Sequence, residues 1–291
     1  MHKEKIVNTF KKYLGTNNIT LEYQERFLGG MSNYTYHVII NGQDYVIRIA
    51  NLEGKVFVDY PTEKLHLFLL EPFNITSKTL FYDTDTGIKI AEYIPGHNLT
   101  NDLTSEDYVG VAHELHKLHK LPIEGVDYGQ IQRLEKYETL VKGCLTPEYF
   151  EIKAFWLKEN ATTYKDLDLV FTHGDAQRTN IVKNDTDYTL LDFEFAGMND
   201  IYFDIASFGN IDFNDSLTLL DYYLGRKAFP HEIRRVKFHR LFQVLQWHVV
   251  ALQKHLNGQS AKLHIDFKKY SEDYLTFARY LMNKIKALPV A

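Results

Sequence analysis

Hydrophobic and polar positions follow two different periods along this chain, and the change of period divides it. From about residue 22 to residue 94 the pattern is mainly the two-residue alternation of strands. Residues 36–40 and 45–49 flank Asn41-Gly42, a pair that tolerates positive φ and predicts a tight hairpin turn. Residues 79–83 and 88–93 predict a second hairpin. The first third of the chain is therefore predicted to form a small antiparallel sheet.

Helical spacing appears between the two hairpins and dominates after Pro95-Gly96. Residues 60–70 predict a helix with Pro61 in its first turn and with Leu65, Phe68 and Leu69 on one face. Residues 109–119, 233–256 and 267–287 predict longer amphipathic helices. The pattern indicates an α+β protein with a small antiparallel-sheet lobe at residues 1–94 and a larger, mainly helical lobe at residues 95–291.

Composition and charge exclude several classes of protein. The 291 residues are 45% hydrophobic and 24% charged, as in an ordinary globular protein. The net charge of −5 argues against a nucleic-acid partner. Cys144 is the only cysteine, which excludes an internal disulfide and a cysteine-cluster metal site. The charged N-terminus and the lack of a long apolar run predict a cytoplasmic protein without stable membrane association.

The most informative motif is His-Gly-Asp-Ala-Gln-Arg-Thr-Asn at residues 173–180, followed by Asp-Phe-Glu at residues 192–194. It fits the H-x-D-x-x-x-x-N loop and the D-F-x metal site of phosphoryl-transfer enzymes. In that chemistry Asp175 reaches a substrate hydroxyl, while Asn180 and Asp192 reach Mg²⁺ on the ATP phosphates. A hairpin over residues 182–191 would bring the two loops side by side. We expect His173 to shape the loop by hydrogen bonding.

Two further features agree with a nucleotide site in the first lobe. The segment Leu-Gly-Gly-Met-Ser-Asn at residues 28–33 lies between strands, where glycines let a backbone approach phosphate and where Ser32 and Asn33 can donate hydrogen bonds. Arg48 ends the second strand of the first hairpin, and Glu63 early in the next helix can pair with it. Each feature alone also fits an ordinary turn or an exposed charge.

Acidic and aromatic residues of the second lobe indicate what kind of molecule could accept the phosphoryl group. Residues 192–221 contain seven acids and no Lys, Arg or His, which favours a cationic acceptor, although a solvated acidic loop is the alternative. Trp247 lies off the packing stripe formed by Leu241, Leu245 and Val249. A tryptophan ring there could hold an ammonium group by cation–π attraction, with a core position as the alternative.

The histidines at positions 113, 116 and 119 lie on one predicted helix. Lys117 occupies the position at which a zinc-protease helix has its second histidine, and a three-residue spacing drifts around the helix. We interpret these histidines as part of the helix rim and not as metal ligands.

Together these segments resemble the choline/ethanolamine kinase family, within the aminoglycoside phosphotransferase and protein-kinase-like superfamily, and they are most similar to bacterial choline kinases. The resemblance extends over residues 28–33, 45–48, 92–94, 173–180 and 192–206 and the helix that carries Trp247. Its most specific part is D-F-E-F-A-x-x-N-x-x-x-F-D-I-A at residues 192–206. The resemblance implies a protein-kinase-like two-lobed fold and an ATP- and Mg²⁺-dependent kinase with an alcohol acceptor.

The resemblance also implies roles for individual residues. Asp175 would be the catalytic base, with Asn180 and Asp192 as Mg²⁺ ligands. Glu194 and Trp247 would lie near the cationic end of the substrate. The residues that would bind ATP are Arg48, Glu63, Ser32, Asn33 and the backbone of Glu92, Tyr93 and Ile94. Two positions depart from the family: Arg48 stands where many relatives have Lys, and Val250 stands where bacterial choline kinases often have a second Trp.

The predicted acceptor is a small cationic alcohol, with choline first and ethanolamine second. Thiamine, an aminoglycoside or another amino alcohol are alternatives of the same enzyme class. A catalytically silent nucleotide-binding module is the alternative of another class, and the intact Asp175, Asn180 and Asp192 argue against it. The sequence leaves the oligomeric state open.

Overall fold

The chain forms two compact units. The computed structural model describes residues 2–27, 33–51, 55–99 and 102–290. Contacts group Met1–Asp102 with Arg178–Ala196 as a first unit, and Leu103–Gln177 with Gly197–Ala291 as a second unit. The division into lobes at residues 94 and 95 stays a prediction.

The helices and strands have the following bounds. Within the described residues the helices are α1 (Lys3–Leu14), α2 (Tyr60–Leu70), α3 (Ser105–His119), α4 (Gln130–Glu138), α5 (Pro147–Thr162), α6 (Ile201–Phe208), α7 (Phe213–Leu224), α8 (Pro230–Leu256), α9 (Gln259–Leu263) and α10 (Phe267–Lys286). The strands are β1 (Leu21–Arg26), β2 (Asn33–Ile40), β3 (Gln43–Ala50), β4 (Thr79–Asp83), β5 (Ile88–Glu92), β6 (His97–Asn98), β7 (Val170–Thr172), β8 (Ile181–Asn184), β9 (Asp187–Leu190) and β10 (Gly197–Asn199). Single 3-10 turns cover Glu71–Phe73, Thr139–Val141 and Arg178–Asn180.

The first unit is built on an antiparallel five-stranded sheet in the order β1-β2-β3-β5-β4. Asn41 and Gly42 have φ of 50° and 79°, so the predicted tight turn between β2 and β3 is confirmed. Strand β5 pairs with β3 in a register that sets Lys89 opposite Arg48. The predicted small antiparallel sheet is therefore confirmed.

Helix α1 covers one face of this sheet and completes its core. Ile6 and Phe10 lie one turn apart, and both are fully buried among sheet residues such as Val38, Ile47 and Ile90. Burying an apolar side chain of this size contributes about 1.5–3 kcal/mol. The i, i+4 spacing of Ile6 and Phe10 is the sequence signal from which this helix could have been predicted.

The side of α2 that faces the protein interior is not the apolar face that the sequence pattern indicated. Asp59 caps the helix by accepting the Thr62 N–H, and Pro61 occupies its first turn, as predicted. However, Phe68 is 69% exposed and Leu65 is 45% exposed, whereas Glu63 is buried. Glu63 faces inward because its carboxylate is paired there with the buried Arg48 and the half-buried Lys89, as described below.

The segment that carries Asn180 and Asp192 packs with the first unit through a small sheet. Strands β8 and β9 form a hairpin, and β6 pairs with β8. Gly96 precedes β6 with φ of 132°, and a Cβ at this position would lie 2.3 Å from the backbone oxygen of Lys183. Only glycine allows this close approach. The hairpin predicted over residues 182–191 is confirmed.

The second unit is mainly helical and is organised around α8. This helix packs against α4, α5, α6 and α10, and all its residues from 236 to 251 are buried except the half-buried Trp247. The two-stranded sheet of β7 and β10 lies in the same unit. Among the described helices, none has an apolar segment long enough to cross a membrane.

Candidate functional site

A cluster of buried charges lies at the end of β3 in the first unit. The Arg48 guanidinium donates to both carboxylate oxygens of Glu63, at 2.8 and 2.7 Å. Lys89 donates to Glu63 Oε1 at 2.8 Å, and the Tyr82 hydroxyl donates to Glu63 Oε2 at 2.5 Å. The predicted contact between Arg48 and Glu63 is therefore present. Lys89 and Tyr82 are additional members that sequence reasoning missed.

The charges of this cluster compensate one another. Burial by itself raises the pKa of Glu63, but Arg48 and Lys89 outweigh it and lower this pKa from 4.5 to about 2. Glu63 is therefore ionised at neutral pH. A buried charge is tolerated only when it is paired and hydrogen-bonded, and Glu63 satisfies both conditions.

Asp192 and Glu194 approach the same guanidinium. Arg48 Nη1 lies 3.5 Å from Asp192 Oδ1 and 3.3 Å from Glu194 Oε2. Asn33 Nδ2 donates to Glu194 Oε2 at 3.0 Å. Burial, followed by repulsion from Asp192, raises the pKa of Glu194 to about 8. The structure places Glu194 beside Arg48 and Asn33, two residues predicted to bind ATP, whereas the resemblance assigned it to the acceptor.

The predicted metal ligands Asn180 and Asp192 flank the hairpin of β8 and β9. Ile181 pairs with Leu190, and the Leu191 N–H donates to the Asn180 oxygen at 2.8 Å. The two residues therefore lie at the same end of the hairpin. Asp192 has φ of 67°, a left-handed conformation that Asp adopts more readily than most residues.

This donor set fits Mg²⁺. No group of three or more His, Cys, Asp or Glu side chains occurs within the described ranges in an arrangement that could hold a metal. Mg²⁺, however, is commonly held by one or two protein oxygens together with substrate phosphates and water. The Asp192 side chain is 41% exposed, so its carboxylate is accessible for such a role.

The other residues predicted to bind ATP lie at the end of β5 and in the segment before β2. Glu92 ends β5, and its N–H donates to the Lys78 oxygen at 3.0 Å. Tyr93 follows it and stacks on the His37 ring with a centroid distance of 3.9 Å. Ile94 is half-buried. Ser32 and the rest of residues 28–32 lie outside the described residues, so the predicted phosphate-covering loop stays a prediction.

The loop that carries Asp175 is anchored within the second unit by Asp204 of α6. The Asp204 carboxylate accepts the N–H groups of His173 and Gly174, both at 2.8 Å. Gly174 has φ of 77°, which favours glycine. His173 is fully buried, and its Nδ1 accepts the Asp175 N–H at 3.2 Å, in agreement with a role in shaping the loop.

Asp204 is itself held by buried side chains from α3 and α7. His119 Nε2 lies 3.0 Å from Asp204 Oδ2, and His119 Nδ1 lies 2.9 Å from the Tyr223 hydroxyl. His113 is exposed, His116 is half-buried and His119 is buried, so the three histidines do drift around α3. The interpretation of His119 as a rim residue was wrong, because it reaches the buried Asp204.

The acidic segment 192–221 is largely engaged in structural contacts. Asp200 pairs with Arg235 and His239 at 2.5 and 2.6 Å. Asp215 accepts the Tyr108 hydroxyl at 2.5 Å. Asp204 anchors the loop at His173, Asp212 caps α7, and Asp221 forms an ion pair with Lys227. These acids therefore have structural partners within the fold, and the cationic acceptor stays a prediction.

The predicted site residues thus fall into two groups. The first unit brings together Asn33, Arg48, Glu63, Asp192 and Glu194. Asp175 and Trp247 belong to the second unit, where Asp175 follows β7 and Trp247 lies on α8.

Comparison with known proteins identifies the family. The model of the phosphotransferase enzyme family matches residues 24–239, which is more than half of the chain. The chain belongs to the phosphotransferase enzyme family. The fold of this phosphotransferase is also that of solved kinases. The choline kinase LicA from Streptococcus pneumoniae superposes with a TM-score of 0.80 at 21% identity, covering 97% of this chain and 99% of that chain.

Two other matches are also to proteins named LicA. A structure of LicA in complex with AMP has a TM-score of 0.80 at 20% identity and covers 98% of this phosphotransferase and 99% of that chain. The protein LicA of Haemophilus influenzae is 20% identical over 254 residues, which are 80% of this chain and 74% of the relative. At these identities the solved structures establish the protein-kinase-like α+β fold of this phosphotransferase.

Proposed function

We propose that this phosphotransferase transfers the γ-phosphoryl group of ATP to the hydroxyl of a small alcohol that carries an ammonium group, with choline first and ethanolamine second. The observation that carries the proposal is the contact of Arg48 with both Glu63 and Asp192. A cation oriented by a helix acid and set beside a metal-ligand acid is the arrangement that kinases use for nucleotide phosphates.

The acceptor assignment has separate support. LicA from Streptococcus pneumoniae, whose structure is similar to this one, is a choline kinase. Another similar structure is that of LicA in complex with AMP. Trp247 is half-buried on a helix whose neighbouring residues are buried, so this residue is not fully enclosed by the core. An aromatic face attracts a quaternary ammonium group by about 0.5–2 kcal/mol.

Each residue has a defined task in this proposal. Arg48 binds ATP phosphates, and Glu63 fixes the guanidinium by its two hydrogen bonds. Asn180 and Asp192 would hold Mg²⁺, and the bound ion would supply positive charge beside the transferred phosphoryl group. Asp175 accepts the proton of the substrate hydroxyl, while Asp204 fixes the backbone of its loop.

The test is ADP release coupled to a dye reaction, with MgATP and one acceptor at a time: choline, ethanolamine, thiamine or kanamycin. Asp192→Asn serves as the control, because Asn keeps the left-handed backbone and weakens the metal ligand. We expect choline-dependent ADP release that the control lacks. Turnover with thiamine or kanamycin alone would overturn the proposed acceptor. No turnover with any of the four, despite measurable ATP binding, would overturn the proposed reaction.

A further inference from the structure

A chain of side-chain hydrogen bonds leads to Asp175 from the buried helix α8. Gln177 Nε2 donates to Asp175 Oδ2 at 2.9 Å. Asn210 Nδ2 donates to Gln177 Oε1 at 2.7 Å, and Arg240 Nη2 donates to Asn210 Oδ1 at 3.2 Å. All four residues belong to the second unit. We call Arg240, Asn210 and Gln177 the amide relay.

The chemistry of arginine fixes the direction of this relay. A guanidinium has only donors, so the oxygen of Asn210 must face Arg240. The Asn210 amide nitrogen then faces Gln177, and the Gln177 amide nitrogen faces the Asp175 carboxylate. Every bond therefore donates toward Asp175, and the side-chain amides have one consistent orientation.

Among the described residues, Arg240 has no acid in direct contact with it. It is 3% exposed, and its other hydrogen bond is donated to Gln243 Oε1 at 3.2 Å. Within the described ranges its guanidinium forms no ion pair, and its Nε has no hydrogen-bond partner. A buried charge without compensation is costly, so the position of a counter-charge matters.

Asp175, at the far end of the relay, favours the charged form of Arg240. Burial lowers the pKa of Arg240 to about 10, while Tyr274 and Asp175 act in the opposite direction. Gln243 is held in turn by its bonds to the Phe203 oxygen and Ser207 Oγ, at 2.9 and 2.8 Å. The guanidinium is thus fixed on a rigid buried helix, with a carboxylate at the far end of two amides.

We propose that Arg240, acting through Asn210 and Gln177, positions the Asp175 carboxylate and is its buried counter-charge. The inference rests on the proposed role of Asp175 as acceptor of the hydroxyl proton. A carboxylate at a loop can rotate about its side-chain bonds, and a hydrogen bond from a fixed amide restricts that rotation. The three relay residues are positioning residues, since they act on the substrate only through Asp175.

The sharpest variant is Asn210→Asp. It keeps an oxygen for Arg240 and gives that cation a direct ion pair, but it removes the donor to Gln177. We expect kcat to fall by about tenfold or more, because a hydrogen bond to a charged group is lost, and the KM for MgATP to change less than about twofold. We expect the melting temperature of Asn210→Asp to stay near that of the wild type. Asn214→Asp, an exposed change at the start of α7, is the matched control and keeps the wild-type kcat.

Arg240 itself provides a conservative rescue. Arg240→Lys keeps a donor and the charge, and we expect it to retain much more kcat than Arg240→Met, which keeps neither. Equal kcat in Asn210→Asp and wild type would overturn the relay while leaving the proposed function intact. Equal kcat in Arg240→Lys and Arg240→Met would overturn it as well.

A second measurement needs no substrate and stands even if no acceptor turns over. Urea unfolding is followed for Arg240→Met in the wild-type and Asp175→Asn backgrounds. If Asp175 is the counter-charge, the shift of the unfolding midpoint caused by Arg240→Met falls to about half when Asp175 is neutral, since the two residues are coupled. Equal shifts in both backgrounds would overturn the proposal, whatever the kinetics of the wild-type enzyme.

Discussion

The Arg48 guanidinium and the Glu63 carboxylate form a bidentate ion pair, and their side chains are only 4% and 0% exposed. Replacing such a pair by apolar residues often leaves stability unchanged, whereas removing one partner leaves the other charge buried alone. In this protein two cations, Arg48 and Lys89, share this carboxylate, and Arg48 has only longer contacts with Asp192 and Glu194.

Glu63→Gln is therefore expected to destabilise the first unit strongly. The change removes the shortest ion pairs of the buried Arg48 and the half-buried Lys89 and lowers the free energy of unfolding by about 3 kcal/mol. Urea unfolding at pH 7 measures it. Glu71→Gln is the control, because the Glu71 side chain is 52% exposed and its ion pair with Lys78 spans 3.9 Å. Similar losses in both variants would contradict the importance of the pair.

The effect of Glu63→Gln should depend on pH. The folded-state pKa of Glu63, about 2, lies below its ordinary value of 4.5, so the ionised form stabilises the folded state. This contribution is complete above about pH 5 and is lost as the pH falls through the folded-state pKa. We expect the stability gap between wild type and variant to narrow by about 2–3 kcal/mol between pH 5 and pH 2. A constant gap would show that Glu63 is not ionised.

Asp175→Asn tests the proposed base. An amide cannot accept the hydroxyl proton, so we expect kcat to fall by about 10²- to 10⁴-fold. The affinity for ATP, measured by calorimetry, should stay near that of the wild type, because Asp175 is not among the proposed nucleotide ligands. Asp166→Asn is the control, since its side chain is 82% exposed. Substantial turnover by Asp175→Asn would remove Asp175 from this role.

Trp247→Ala tests the proposed ammonium contact. Loss of the aromatic face should raise the KM for choline by about 2- to 30-fold, which corresponds to the range of cation–π energies. The KM for MgATP should stay unchanged, and Trp247→Phe should recover part of the choline affinity because it restores a ring. Equal changes in the two KM values would mean that Trp247 supports only the packing of α8.

Local patterns predicted much of the first unit. The Asn41-Gly42 turn and helix α2 follow from short-range rules of turn chemistry and helix starts, whereas the pair of Arg48 and Glu63 was predicted from the order of parts in kinases. The rotation of α2 did not follow, because the exposed Phe68 looked like the buried face and the ion cluster that turns Glu63 inward depends on Lys89 from another strand. Pairing between distant strands is not encoded in a local period.

The second unit was predicted less completely for the same reason. The motif at residues 173–180 identified Asp175, but His119 from α3, and Asp204 and Asn210 from α6 and the turn after it, reach this loop only in the fold. A buried aspartate that accepts backbone N–H groups looks, in sequence, like any acid of an acidic run. The acidic segment therefore suggested an electrostatic role, where the structure shows caps, anchors and ion pairs.

The opposition of Arg48 and Lys89 across β3 and β5 has a consequence for folding. Successive residues of a strand point to opposite faces, so a slip of β5 by one residue would turn Lys89 away from Glu63. The misaligned sheet would then hold a buried acid with one of its two cations missing. The same slip would also turn the buried Ile88 and Ile90 away from the core that they fill. The charge cluster and the apolar core therefore both favour the observed register of β5 over one shifted by a single residue.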